Sequence, residues 1–203
     1  MPAGNLSSTT TAEAVRIEPK EHPVTVRTLT PAETADLGAW RYLALRHMPY
    51  LASVLFRMAP LFNDETPTLA VDARWRLYIN FEWCRSQTPE MIGQALCHEA
   101  SHLLANHAHF AKDLGVTPDK FQQWNLSTDA AINDDLRDAG CKELAEFGVL
   151  PASIGAPDYQ TPHFYYRHLD QAEPPTEEAP QCGSGSGGAP TPGELGGDAT
   201  WTG

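Results

Sequence analysis

The stretch from Thr88 to Gly115 constrains this chain more than any other. Thr88 is a good N-cap, Pro89 suits the first helical position and Glu90 complements the helix dipole. Apolar residues then recur at helical spacing and Gly115 offers a stop, so one helix is expected to run to about Leu114. Deep inside it stands His98-Glu99-Ala100-Ser101-His102. Four residues make slightly more than one turn, so both imidazoles fall on one face, about 6 Å apart, close enough to share one metal ion. Met91, Ile92, Ala95, Leu96, Leu103 and Leu104 surround the motif. Two histidines and a glutamate half-buried among apolar side chains are costly without a partner, and a cation is the simplest one.

An H-E-x-x-H on a helix is the spacing of a zinc hydrolase. Zinc lowers the pKa of a bound water to about 7. Glu99, one residue along from His98, can take that water's proton during attack on a carbonyl and return it to the leaving amine. A catalytic zinc also needs a third protein ligand and an open position. His107 and His109 are the nearest candidates, but on a continuous helix His109 lies about 10 Å along the axis from His102. The longer pattern that breaks the helix with a glycine has Ala105 and Ala108 at its glycine and final histidine positions, so that subclass is excluded. His107 and His109 therefore read as surface residues or as residues that support the ligands from behind, rather than as ligands themselves.

A third ligand is expected from the next helix, which Thr117-Pro118-Asp119 opens and Gly140 ends. Asn125, Asp129 and Asn133 form one stripe at i, i+4 and i+8, beside Ala130, Ala131, Ile132 and Leu136. Asp129 is the central carboxylate of that stripe. Asp134 and Asp135 are rivals that read as a charged outer face, and Glu143 and Glu146 lie beyond Gly140. A helix N-cap role after Ser127-Thr128 is the competing reading of Asp129.

The rest of the chain gives a mainly helical α+β reading with a small sheet. Pro31 to about Met48 reads as a helix with Leu37, Trp40, Leu43 and Leu45 inward, and Tyr50 to Met58 as a second ending at Pro60. Thr68–Asp72 and Trp75–Asn80 alternate with period two and predict a β-hairpin, whose second strand could offer an edge to an extended peptide. Thr161-Pro162 opens a last short helix carrying Tyr165, Tyr166 and His168, three candidates for stabilising an oxyanion, although packing on the core is the favoured reading of the two tyrosines. Three parts follow. Residues 1–30 form an N-terminal extension, in which Val24-Thr25-Val26 could add a strand. Residues 31–170 are the working domain. Residues 171–203 are a Gly/Pro-rich, acidic, flexible tail. The Gly183–Gly188 run follows no strand and opens no helix, so it is not a phosphate cradle.

Charge and cysteine usage exclude other classes. A net charge of −12 makes nucleic acid and anionic membrane surfaces poor partners. No apolar run reaches the roughly 18–20 residues of a membrane span, and the polar start is unlike a secretory signal. Cys84, Cys97, Cys141 and Cys182 show no C-x-x-C spacing and read as reduced thiols of a cytoplasmic protein, with Cys97 as a buried structural thiol.

Residues 67–170 resemble the bacterial metallopeptidase domain usually found N-terminal to a von Willebrand-A-like domain. The resemblance is carried by Thr68-Leu69-Ala70-Val71-Asp72, Leu77-Tyr78-Ile79-Asn80, Leu96 to Leu104 with the H-E-x-x-H, Trp124-Asn125, Asp129 and Ile132-Asn133-Asp134. It implies a zincin-like fold with His98, His102 and Asp129 holding one Zn2+ and Glu99 as catalytic base. The expected activity is hydrolysis of a dedicated protein or peptide substrate. The chain ends where the von Willebrand-A-like part would begin, so the resemblance implies either a stand-alone version or a missing C-terminal domain, with such a domain as a candidate partner. Two other readings of the same residues stay open. A non-catalytic metal site would make a peptide-binding adaptor, and two histidines with one carboxylate also hold Fe(II) in non-haem redox enzymes.

Overall fold

The computed structural model describes residues 26–171 and 182–196. Among them, eight α-helices surround a three-stranded mixed sheet, so the fold is α+β and mainly helical. No helix among the described residues is long and apolar enough to cross a membrane.

Helix α1 (Pro31–His47) starts at a capping box. The Thr30 hydroxyl accepts from Glu33 N, and the Glu33 carboxylate accepts from Thr30 N at 2.8 Å. The Arg27 guanidinium grips the same carboxylate with two bonds of 2.8 Å. Leu37, Trp40 and Ala44 form the buried stripe. Leu43 and Leu45, expected inward, flank it and are only half-buried. After a 3-10 turn at Pro49–Leu51, helix α2 (Ala52–Arg57) is shorter than expected, because the chain extends at once into strand β1 (Ala59–Phe62). That strand leaves no period-two signal in the sequence.

Strands β2 (Leu69–Val71) and β3 (Arg76–Ile79) form the expected antiparallel hairpin, with Val71 opposite Leu77. Strand β1 adds parallel to β3 on its other side, giving the order β1-β3-β2. The expected peptide-binding edge on Trp75–Asn80 is therefore corrected. β3 is central, with every residue buried, and the edge strand near the histidine helix is β2. A short helix α3 (Phe81–Ser86), capped by the Asn80 side chain, turns the chain away from the sheet.

Helix α4 (Pro89–Leu104) is the axis of the domain. Thr88 caps it as expected, accepting from Met91 N at 3.0 Å. It packs against α1 on one side and α6 (Phe121–Asp138) on the other. The approach to α1 requires a glycine: a Cβ on Gly93 would sit 2.8 Å from Leu43 Cβ and 3.0 Å from Ala44 N. The single helix expected to reach Leu114 is corrected. It stops at Leu104, Asn106 turns left-handed at φ 56, and helix α5 (His107–Asp113) sets off anew. Asparagine tolerates that conformation, so no glycine marks the break. Helices α7 (Lys142–Phe147) and α8 (Pro162–Gln171) follow, α8 packing along α6.

Residues 182–196, expected in the flexible tail, instead lie against the domain. Val71 N donates to Cys182 O at 3.2 Å, Trp124 Nε1 to Ser186 O at 2.8 Å and Asn63 Nδ2 to Pro192 O at 2.9 Å. Glu194 gathers the segment into a loop, its carboxylate accepting from Ser184 N, the Ser184 hydroxyl and Thr191 N at 2.9, 2.7 and 2.8 Å. The packing uses backbone hydrogen bonds and glycines rather than an apolar face, and a composition-based reading cannot register it. Val24 and Thr25 lie outside the described residues, while Arg27 forms an isolated bridge to Phe62.

Candidate metal centre

Helix periodicity aims His98 and His102 at the same point from successive turns of α4, with their Nε2 atoms 3.0 Å apart. Asp129 reaches that point from α6. Its Oδ1 lies 3.2 Å from His102 Nε2 and 3.6 Å from His98 Nε2. The structure thus brings together the three residues expected to ligate a metal. Asp129 sits in the middle of α6, so its competing reading as an N-cap does not apply. The rivals lie elsewhere. Asp134 is buried, against expectation, but accepts from Tyr159 N at 2.6 Å; Asp135 is exposed; Glu143 accepts from the Thr88 hydroxyl.

A fourth donor joins them. Cys182 Sγ lies 3.2 Å from His98 Nε2 and 3.7 Å from Asp129 Oδ1, and all four donor atoms fall within 4.8 Å of one another. Bonds of 2.0–2.3 Å in a tetrahedron place ligands about 3.3–3.6 Å apart; five of the six separations, at 3.0–3.7 Å, bracket that range, and the sixth, His102 to Cys182, lies within 4.8 Å. Two imidazoles, a carboxylate and a thiol are also a donor set that zinc favours.

The surrounding hydrogen bonds fix which lone pairs face the cluster. Asn133 Nδ2 donates to Val149 O at 2.9 Å, which turns Asn133 Oδ1 towards His98 Nδ1 at 2.8 Å. His98 Nδ1 must then be the donor, and its Nε2 presents a lone pair to His102, Asp129 and Cys182. Asn125 supports Asp129 in the same way: its Nδ2 donates to Asp129 Oδ2 at 3.3 Å while its Oδ1 accepts from the Ser186 hydroxyl at 3.1 Å. The whole stripe of Asn125, Asp129 and Asn133 therefore serves the site. His107 is buried, with its Nδ1 2.9 Å from His102 Nδ1, and so positions the second imidazole; His109 is exposed and pairs with Asp113.

Burial decides the charge state of these groups. Desolvation pulls His98 down to about 4, with the neighbouring His102 adding to it, and His102 down to about 3. Both imidazoles stay neutral, the form that binds metal. Desolvation lifts Asp129 to about 6 and pushes the Cys182 thiol well up. Electron-rich donors gathered in a dry pocket lack a compensating charge among themselves, and a divalent cation supplies it.

Glu99 sits beside the cluster, 4% exposed, and its Oε2 has no hydrogen-bond partner. Desolvation, helped by the negative charge of Asp129, raises its pKa well above the usual carboxylate range. It lines a cleft of about 310 Å³ together with His98, Asp129, Asn133 and Cys182. The rest of the wall is mostly apolar, from Leu69, Trp83, Met91, Ala95, Leu144 and Val149.

The other sequence candidates fall away from this cleft. Tyr165 is buried, donating to Pro157 O at 2.9 Å; Tyr166 packs on Trp124; His168 contacts Ile154 O at 3.0 Å. None of the three lines the cleft, so the two tyrosines take the core-packing reading and the oxyanion candidacy of all three is set aside. Cys97 is buried and points at Ala44 O, away from the donors. Sequence reasoning missed Cys182; of the two readings open for His107, surface or support of the ligands, the structure selects the second. The one signal that could have found Cys182 is a lone thiol amid glycines that permit close backbone approach.

With this geometry in place, the comparison with known proteins is specific. A family model described as a putative metallopeptidase domain matches residues 34–189, which takes in both helices of the site and Cys182. Among curated proteins and solved structures nothing matches the chain.

Proposed function

Because the chain belongs to this putative metallopeptidase domain family, we propose that it is a zinc-dependent peptidase whose general base is Glu99. A zinc ion held by His98, His102 and Asp129 would supply Lewis acidity to a scissile carbonyl and a water nucleophile near neutral pH. The observation that carries the reading is the Glu99 carboxylate, buried beside the donors with an oxygen left unpartnered on the cleft wall. Leaving such an atom unpaired costs about 1–3 kcal/mol, a cost that a structural role does not offset.

Glu99 takes the proton from the attacking water and passes it to the leaving amine as the C–N bond breaks. Asn133 and His107 hold the two imidazoles in orientation, and Asn125 does the same for Asp129. The apolar wall of the cleft takes up an apolar substrate side chain and aligns the bond. A narrow cleft of this kind suits one dedicated protein or peptide substrate rather than general digestion.

Cys182 favours a second reading. Four protein donors describe a closed, structural site, and the chain would then be a metal-stabilised peptide-binding adaptor. The thiol weighs against an Fe(II) redox centre, since thiolate and imidazole together suit zinc. Elemental analysis of protein purified without added metal distinguishes zinc from iron. The decisive test is cleavage of a peptide library by zinc-loaded protein and its Glu99→Gln variant, each with Cys182 intact and with Cys182→Ala. The expected loss on Glu99→Gln is about 10²–10⁴-fold at unchanged zinc content. Cleavage unaffected by Glu99→Gln, or absent from every zinc-loaded form, refutes the peptidase.

A further inference from the structure

We propose that residues 182–194 are a built-in blocker, with Cys182 closing the fourth corner of the metal centre and the backbone of 182–185 occupying the sheet edge on which a substrate peptide would lie. The proposal rests on the peptidase reading for the identity of the competitor, but not for the closure itself.

Three observations converge on it. Strand β2 is the free edge of the sheet, and it runs past the donor cluster with Leu69 on the cleft wall. An extended peptide adds to such an edge through main-chain hydrogen bonds. The position is already taken, since Val71 N donates to Cys182 O at 3.2 Å. The next residues press onto the same strand. A Cβ on Gly183 would lie 2.6 Å from Val71 O, and one on Gly185 would lie 2.8 Å from both Val71 O and Val71 Cγ2. The segment therefore copies a bound peptide, with its backbone on the edge strand and one side chain directed at the metal donors.

The second observation is chemical. A site closed by His98, His102, Asp129 and Cys182 has no use for a second carboxylate, yet Glu99 is held beside it, buried and with Oε2 unpartnered. A base is in place where the sulfur excludes the water it would serve. The third is mechanical. The strap is held by hydrogen bonds and a single carboxylate staple, with Glu194 joining Ser184 to Thr191. Residues 182–194 carry no large apolar side chain of their own to anchor the strap, so a competing peptide that covers Val71 again can offset its release.

Opening is a ligand exchange that balances without a redox partner. With a metal bound, Cys182 would leave as the thiolate and take a proton from solvent, and a water would fill the corner it vacates. A peptide that pairs with β2 drives the exchange by displacing residues 182–185.

The test uses the full chain loaded with cobalt(II), whose spectrum reports its ligands. The wild type should show a sulfur-to-cobalt charge-transfer band that Cys182→Ala lacks at equal cobalt content, and azide should perturb the spectrum of Cys182→Ala but not of the wild type. Gly185→Val, which leaves the thiol intact but crowds the strap off Val71, should admit azide as well. Where peptides are cleaved, both variants should exceed the wild type by about 10–1000-fold, the inverse of a minor open population. Absence of the sulfur band in the wild type overturns the proposal. So does azide binding equally to all three proteins, or loss of the metal from Cys182→Ala, which marks the thiol as a structural ligand. If the spectra behave as expected and neither variant cuts any peptide, the closure stands and the peptidase reading fails.

Discussion

Asn133 offers the sharpest quantitative handle on the site. Its amide bridges two elements, accepting from His98 Nδ1 at 2.8 Å and donating to Val149 O at 2.9 Å. Replacing it with alanine frees the imidazole to rotate and to exchange tautomers, so that Nε2 no longer always presents its lone pair. Losing such an outer partner costs about 10–100-fold in metal affinity, which is about 1.4–2.7 kcal/mol. The fold suffers separately, because Val149 O loses its donor, at about 1–3 kcal/mol. Asn133→Asp distinguishes the two effects. An aspartate still accepts from His98 and makes the imidazole more basic, but it cannot donate to Val149. Metal affinity should therefore follow wild type and Asn133→Asp above Asn133→Ala, whereas both variants lose stability in urea. Competition against a chromophoric chelator measures the first and urea titration of the metal-free protein the second. Zinc affinity of Asn133→Ala within about threefold of wild type, less than 1 kcal/mol, would refute the reasoning.

Three other outcomes follow from the same coordinates. Glu33, held down to about 2 mainly by its hydrogen bonds from Arg27, has a folded pKa below its ordinary value of 4.5. Its contribution is fully present above about 4.5 and is lost as the pH falls through about 2; Glu33→Gln should therefore weaken the protein at neutral pH in urea titration and flatten the stability loss across that acid window. Gly93→Ala gains up to about 1 kcal/mol of helix propensity but forces Cβ against Leu43 and the Ala44 backbone, where overpacking costs about 1–3 kcal/mol. A net loss of stability is expected, and a variant as stable as wild type contradicts the α1–α4 packing. Metal removal by a chelator should lower the stability by the linkage free energy, about 4 kcal/mol for an ion present at a thousandfold excess over its dissociation constant, and the thermal midpoint with it. A calorimetric trace unmoved by chelation would show that the donors hold nothing.

Residues that act through helical periodicity were legible in the sequence. His98 and His102 are one turn apart, and Asn125, Asp129 and Asn133 repeat every four residues, so both sets point one way whatever the tertiary context. The caps at Thr30 and Thr88 were legible for a similar reason, because the side chain that ends the helix is local to it. What escaped was non-local or made of backbone. Cys182 reaches the donors through a segment anchored by main-chain hydrogen bonds and close glycine contacts on Val71, and neither leaves an apolar rhythm. On a continuous helix the sequence leaves His107 undecided between the surface and a place behind the ligands. The left-handed Asn106 swings it back beneath His102, and nothing in the local sequence demanded that break. Strand β1 is four residues long and pairs directly with β3, although β2 lies between them in the sequence, so its evidence lies in its partner rather than in itself.

X-ray absorption at the zinc edge of the zinc-loaded full chain tests the central claim most directly. One zinc per chain is expected, with two imidazole nitrogens and a carboxylate oxygen at about 2.0–2.2 Å and one sulfur at about 2.3 Å. The sulfur should disappear in Cys182→Ala, and stoichiometric binding should fail in His102→Ala. Sub-stoichiometric zinc, or a shell of oxygen atoms without imidazole scattering, would contradict that claim.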